Sequence, residues 1–224
     1  MDSKLAKEKS LQLSISEIQV VREEYEMVLL SALFESPFGK KLVFRGGTAL
    51  RLAYNSPRFS EDLDFSQIEP IPEKEFQTWC QTIANNNSGL ELKEALQKRF
   101  TLFALFKIKD PTIAVTISIK IEISVRKVTP EQKKSYQLMK LQSEVTPITA
   151  IAQVASVKWI QKEKLSISPK RVRDIFDLWF IGQLLKKTYP MDFKGFTNNK
   201  VKGELNKLLG LGAKRLVLSW LSKN

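Results

Sequence analysis

The sequence predicts an α+β protein: a mixed β-sheet lobe with flanking helices, followed by an all-helical C-terminal lobe. Three observations carry this. Residues 117–124 alternate strictly, with isoleucine at 117, 119, 121 and 123 and polar residues between, the period of a strand with one buried face. Val21, Tyr25, Val28, Leu29 and Leu33 recur at the spacing of a helix with one apolar face. Past a polar connection from Pro130 to Pro147 the pattern reads as helix throughout, and the charge changes with it. From Lys158 onward 15 Lys/Arg stand against 5 Asp/Glu, which is +10 of the net +12. The lobes are therefore placed at 1–147 and 148–224.

Taken in order, Ser16 is a suitable cap for a helix over about 17–34. Lys41–Phe44 reads as a short strand that Gly46-Gly47 ends, and a short helix follows from Thr48 to Tyr54. Asn55-Ser-Pro57 is a turn, and Leu63–Phe65 lies in a second strand. Pro70 and Pro72 lead into a helix over about 73–84, closed by the loop Asn85–Gly89. Two strands are expected near 100–109 and 112–125, with Asp110-Pro111 as the hairpin turn. Helices are expected over about 149–162, 170–185 and 201–220, the last interrupted by the glycines of Gly210–Arg215.

Composition excludes much chemistry. The 224 residues contain no histidine, so Ser-His-Asp and Cys-His catalysis, His-ligated zinc and an imidazole base are all ruled out. The single cysteine, Cys80, cannot form an internal disulfide, and its place on an amphipathic helix with Phe76, Trp79 and Ile83 marks it as packing. Any bound metal must have oxygen ligands, which points to Mg²⁺ or a similar hard ion. The polar start, MDSKLAKEKS, does not resemble a signal peptide, and no stretch has the length of apolar sequence that a membrane span needs. A cytoplasmic protein with no membrane role is expected. The basic excess suits either a polyanionic partner or a solubilising surface.

Four constellations carry candidate chemistry. In Phe44-Arg-Gly-Gly-Thr-Ala-Leu50 a strand runs through two glycines into a helix. Such a turn either cradles a phosphate at a helix N-terminus through Gly46, Gly47 and Thr48, or is a tight connection capped by Thr48. In Arg58-Phe-Ser-Glu-Asp-Leu-Asp-Phe65, Asp62 and Asp64 fall on one face of a strand. They form either a solvated face or a pair that a divalent cation holds together. In the alternating strand, Glu122 is either part of a wet face or a third metal ligand, with Lys120 two residues away. In Lys170-Arg-Val-Arg-Asp-Ile-Phe-Asp177, Asp174 and Asp177 stand one helical turn apart. They either pair locally with Lys170, Arg171 or Arg173, or orient an attacking group while Lys158 and the arginines take phosphate oxygens.

Together these segments resemble the AbiEii/AbiGii-type nucleotidyltransferase toxins of the DNA polymerase β-like superfamily. The resemblance spans roughly Phe44 to Phe180, and its first two blocks are the more specific. It implies an enzyme that transfers a nucleoside monophosphate from an NTP to an acceptor with Mg²⁺, two ions being expected. It also implies that the protein is the toxin of a bacterial toxin–antitoxin or abortive-infection system active in phage defence, with a cognate antitoxin and with RNA, the tRNA 3′ end first, as acceptor. Carried over by residue, Gly46, Gly47 and Thr48 are the phosphate turn, with Arg58 and Lys120 beside the nucleotide. Asp62, Asp64 and Glu122 are the metal ligands. Asp62, Asp64, Lys158 and either Asp174 or Asp177 are catalytic. Thr48 stands where many members have serine, Asn55 where a glycine is frequent, and Pro57 precedes Arg58. The rival readings are a transferase acting on a protein or small molecule and a non-catalytic binding module.

Overall fold

The computed structural model of the chain describes residues 1–222. The strands are β1 (Leu42–Arg45), β2 (Asp62–Gln67), β3 (Leu90–Lys98), β4 (Thr101–Ile108), β5 (Ile117–Ser124), β6 (Tyr136–Leu141) and β7 (Ala150–Ala155). The helices are α1 (Ser3–Leu13), α2 (Glu17–Glu35), α3 (Gly46–Tyr54), α4 (Glu73–Asn86), α5 (Val157–Ser166), α6 (Val172–Leu185), α7 (Asn198–Leu205) and α8 (Leu211–Leu221). Among the described residues all seven strands join one sheet in the order β3-β4-β5-β2-β1-β7-β6. It is mixed: β2 runs parallel to β5 and β1 parallel to β7, while the other pairs are antiparallel. Among the described residues no helix is long and apolar enough to cross a membrane.

Alternation divides the sheet into two faces. Leu63, Phe65, Ile121 and Ile123 are fully buried, and Phe34 of α2 packs on Phe44 and Phe65. The opposite face of β2 and β5 carries Asp62, Asp64, Lys120 and Glu122. Helix α4 covers β3 and β4, with Phe76 and Cys80 in the same core. Burial pushes the Cys80 thiol far up, so Cys80 is filling and not a nucleophile.

The helical lobe has its own core, in which Val172 and Phe176 meet Phe193, Val201, Leu205, Leu209 and Val217. Helix α6 bridges the two cores, because its last turns place Ile181 in the sheet core. A second link is the antiparallel bridge of Arg58 with Leu209, beside a bond from Phe59 N–H to the Leu208 carbonyl at 2.8 Å.

Several sequence expectations are corrected. Residues 149–162 begin as strand β7, and α5 starts only after Ser156, whose Oγ accepts from the Trp159 N–H at 3.2 Å. The sheet lobe thus extends to Ala155, past the expected boundary at 147. A short apolar run such as Ala150–Ala155 has no period that separates strand from helix. Edge strands β3 and β6 were not expected. In β3 a bulge between Leu92 and Glu94 breaks the alternation, and three of the six β6 residues, Gln137, Leu138 and Lys140, are exposed within a polar segment. The tight Asp110-Pro111 hairpin is a longer loop, since β5 begins only at Ile117. Asp110 there accepts from Tyr25 and from the Thr112 N–H. The break expected within 201–220 separates two helices, α7 and α8, and Gly210 is the N-cap of the second.

Phe44 is fully buried, with its ring centroid 5.2 Å from that of Phe65. Phe44→Ala should cost about 3–5 kcal/mol, read as a shift of the urea midpoint with an unchanged slope. A loss below about 1 kcal/mol would contradict the packing described.

Candidate active site

The site begins with register. Asp64 lies opposite Glu122 across β2–β5 and opposite Arg45 across β1–β2, while Asp62 lies opposite Lys120. Paired residues face the same side of a sheet, so three strands deliver three carboxylates and two cations to one wall. All of these except Lys120 line a cleft of about 560 Å³, within the usual range for a small-molecule site. The far wall carries Lys164 from α5 and Arg171 and Arg173 from the start of α6.

The glycine turn closes the floor. Gly46 has a backbone φ of +82° and begins α3. A Cβ there would meet Asp64 Oδ2 at 2.5 Å, and one on Gly47 would meet Arg58 Nη2 at 2.5 Å. Both glycines are therefore required for the approach of site side chains, and both line the cleft beside the N-terminus of α3. Thr48 is fully buried and donates to the Asp62 carbonyl at 2.5 Å. It holds β2 in place and does not line the cleft. Asn55 ends α3 with φ +61°, the left-handed cap position that glycine usually fills and asparagine tolerates.

Asp174 and Asp177 are both 0% exposed. Asp177 accepts from Arg58 Nε at 2.7 Å and Nη2 at 2.9 Å, and Lys164 Nζ lies 2.7 Å from its Oδ2. Asp174 accepts from Lys164 Nζ at 2.9 Å, from Arg171 Nε at 2.7 Å and from the Arg171 N–H at 3.1 Å. The last bond caps α6. Burial alone would raise both carboxyls, but the surrounding cations reverse it. Arg58 and Lys164 hold Asp177 below its ordinary value, and Arg171 and Lys164 do the same for Asp174. Neither carboxylate reaches the cleft. They position the cations that do, so Asp177 pairs with Arg58 and Lys164 and not with Lys170 or Arg173.

Lys158, expected in the site, is exposed on the first turn of α5 and lines a neighbouring hollow with Gln132 and Lys162. The lysine that α5 turns into the cleft is Lys164. The sequence reading missed it because its two partners, Asp174 and Asp177, come from a different helix. Arg45 was missed as well. It donates to Ser66 Oγ at 3.0 Å and reaches Glu163 at 3.4 Å on the cleft wall. Its signal was available, since it directly precedes Gly46.

Asp62, Asp64 and Glu122, expected as metal ligands, share one wall of the cleft. Among the described residues no three carboxylates form a preformed metal cage. Lys120 Nζ stands 3.6 Å from Asp62 Oδ1. The donor set is all oxygen. Burial raises the Glu122 carboxyl, and the charges of Asp64 and Asp62 raise it further. A divalent cation would relieve that repulsion, so the residues fit a hard ion. Behind this wall Glu26 is buried, with Oε1 unpartnered. Burial and then Glu23 push its carboxyl far up.

Two outcomes follow. Gly46→Ala should destabilise the chain by about 1–2 kcal/mol through its positive φ and lower turnover by about a hundredfold through displacement of Asp64. Steady-state kinetics on the folded variant will measure this, and unchanged kinetics would show the turn to be structural only. Asp177→Ala should cost about 3–5 kcal/mol, because Arg58 and Lys164 lose a buried partner. A carboxyl with a depressed folded value adds stability above its unfolded value, near 3.9, and loses it as pH falls through the folded one. The denaturation gap between wild type and Asp177→Asn should therefore close progressively below about pH 4. A pH-independent gap would remove the ionic account.

Three comparisons bear on this architecture. The chain resembles the solved structure of MenT4, a nucleotidyltransferase toxin from Mycobacterium tuberculosis, at 18% identity and a TM-score of 0.62, covering 100% of this chain and 90% of that one. It resembles JHP933 from Helicobacter pylori at 23% identity and a TM-score of 0.55, covering 75% of this chain and 68% of that one. At these identities the likeness is one of fold. Among curated proteins there is no match. The family model described as "Nucleotidyl transferase AbiEii toxin, Type IV TA system" matches residues 28–196, which include both walls of the cleft. The chain thus belongs to the AbiEii family, the nucleotidyltransferase toxins of type IV toxin–antitoxin systems.

Proposed function

We propose that the chain transfers a nucleoside monophosphate from an NTP to a terminal hydroxyl of RNA, the 3′ end of tRNA first among acceptors, with Mg²⁺ as its metal. The observation that carries this reading is the two-walled cleft. Asp62, Asp64 and Glu122 line one side with Arg45 beside them, and Lys164, Arg171 and Arg173 line the facing side. Over the whole lining seven Lys/Arg outnumber four Asp/Glu, a balance that suits a triphosphate arriving with its counter-cation. As a toxin of its family the chain takes an NTP and has a cognate antitoxin.

In this reading the basic wall and the N–H groups at the start of α3 take the phosphate oxygens. Lys164 replaces Lys158 as the phosphate lysine, and Asp177 holds both Lys164 and Arg58 for that task. The acceptor hydroxyl gives its proton to solvent as its oxygen attacks the α-phosphorus, the bond from the α-phosphorus to the bridging oxygen breaks, and pyrophosphate leaves. Asp62, Asp64 and Glu122 would hold the metal, which when bound lowers the pKa of the attacking hydroxyl and screens the triphosphate. The C-terminal excess of +10 supports a nucleic-acid acceptor.

The test is incubation with each NTP labelled at the α-phosphate, Mg²⁺ and a mixture of total RNA and protein. Label in RNA, tRNA foremost, is expected, and label confined to protein or small molecules would overturn the acceptor. Chelation should stop transfer and added Mg²⁺ restore it. Asp62→Asn and Asp64→Asn should each lower turnover by about a hundredfold or more with an unchanged melting temperature. Activity within a few-fold of wild type in either variant would sink the assignment.

A further inference from the structure

The helical lobe carries a surface that the cleft chemistry does not use. Arg171 lines the cleft and also an adjoining hollow of about 720 Å³, walled by Pro190, Phe196, Lys194 and Lys200. Tyr189, Pro190 and Lys194 line that hollow and also a further one of about 810 Å³, which ends at Trp179 and Trp220. Neighbouring spaces thus share lining residues, Arg171 between the first two and Tyr189, Pro190 and Lys194 between the outer two. Around the two outer hollows six Lys/Arg stand against Asp192 and Glu204 alone.

The aromatic groups are set among these cations. Lys200 Nζ lies 5.1 Å from the centroid of the Phe196 ring. Trp179 and Trp220 meet edge-on at 5.0 Å, and both are only partly buried. Partly open aromatic rings alternating with cations bind single-stranded nucleic acid: the rings stack on bases and the cations track the backbone, without reading sequence. In a duplex the bases already stack on each other and are closed to such rings.

We propose that this track, from Arg171 to Trp220, seats the unpaired nucleotides just upstream of the acceptor 3′ end, so that the terminal hydroxyl enters the cleft. The inference rests on the RNA reading above. It adds the requirement that the acceptor end be single-stranded over several nucleotides, and it locates the residues that enforce this.

The experiment uses the full chain and RNA oligonucleotides of increasing length with a free 3′ hydroxyl. Wild type should gain affinity with each added nucleotide until the track is full. The triple variant Lys187→Glu, Lys194→Glu and Lys200→Glu changes three exposed residues. It should bind the longer oligonucleotides at least tenfold more weakly, and its salt slope should flatten by roughly 0.7 per lost contact. NTP affinity and melting temperature should be unchanged. A 4-thiouridine placed a few nucleotides from the 3′ end should crosslink within residues 179–220. Equal affinity and slope in variant and wild type, with RNA still labelled by transfer, would overturn the track and leave the RNA reading standing. Absence of RNA labelling by wild type at every length would overturn both.

Discussion

The structure depends on a buried ionic knot at the start of α6. Asp174 and Asp177, both sealed from solvent, gather Arg58, Lys164 and Arg171 from three separate segments. Carboxylates are not left in such a place without cations, because desolvation costs several kcal/mol per ion. The knot therefore holds only when α5, α6 and the segment after α3 are all docked. Once docked, it fixes the guanidinium and ammonium groups that form the basic wall. Fold and site share the same bonds.

The acidic wall arises differently. It needs no long-range ion pair, only the register of β1, β2 and β5, which sets Arg45, Asp64 and Glu122 side by side. That register is secured by the opposite face: a slip of one residue would bury the carboxylates and expose Leu63, Phe65 and Ile121. The apolar core thus determines where the charges stand. The crowding at Glu122, raised by its own burial and by Asp64 and Asp62, is the electrostatic trace of that enforced proximity.

The strongly patterned elements were legible in the residues. Helices α2 and α4, strand β5 and the strand holding Asp62 and Asp64 lie where spacing placed them. The unread elements had weak local signals. Helix α1 has a polar sequence and begins on a cap at Asp2, whose side chain accepts from Lys4 and Leu5. Strand β6 is an edge with little to bury, and β7 is a run of small and apolar residues that fits either structure.

For the candidate site, sequence by itself determined which face the three carboxylates share. Asp62, Asp64 and Glu122 lie on strands, and alternation alone assigns each to the polar face. The glycines of the turn were equally readable, since a strand running straight into a helix needs a residue at positive φ, and Gly46 supplies it. The basic half was decided by tertiary structure. Lys158 and Lys164 lie on the same short helix, and nothing in their local sequence ranks them. Asp174 and Asp177 look like an exposed charged turn until α6 is packed into place. Only the packed chain brings Arg58, 119 positions before Asp177, into contact with it. A charge pair separated by that distance leaves no period in the sequence, because it is formed by the fold and not by any one element.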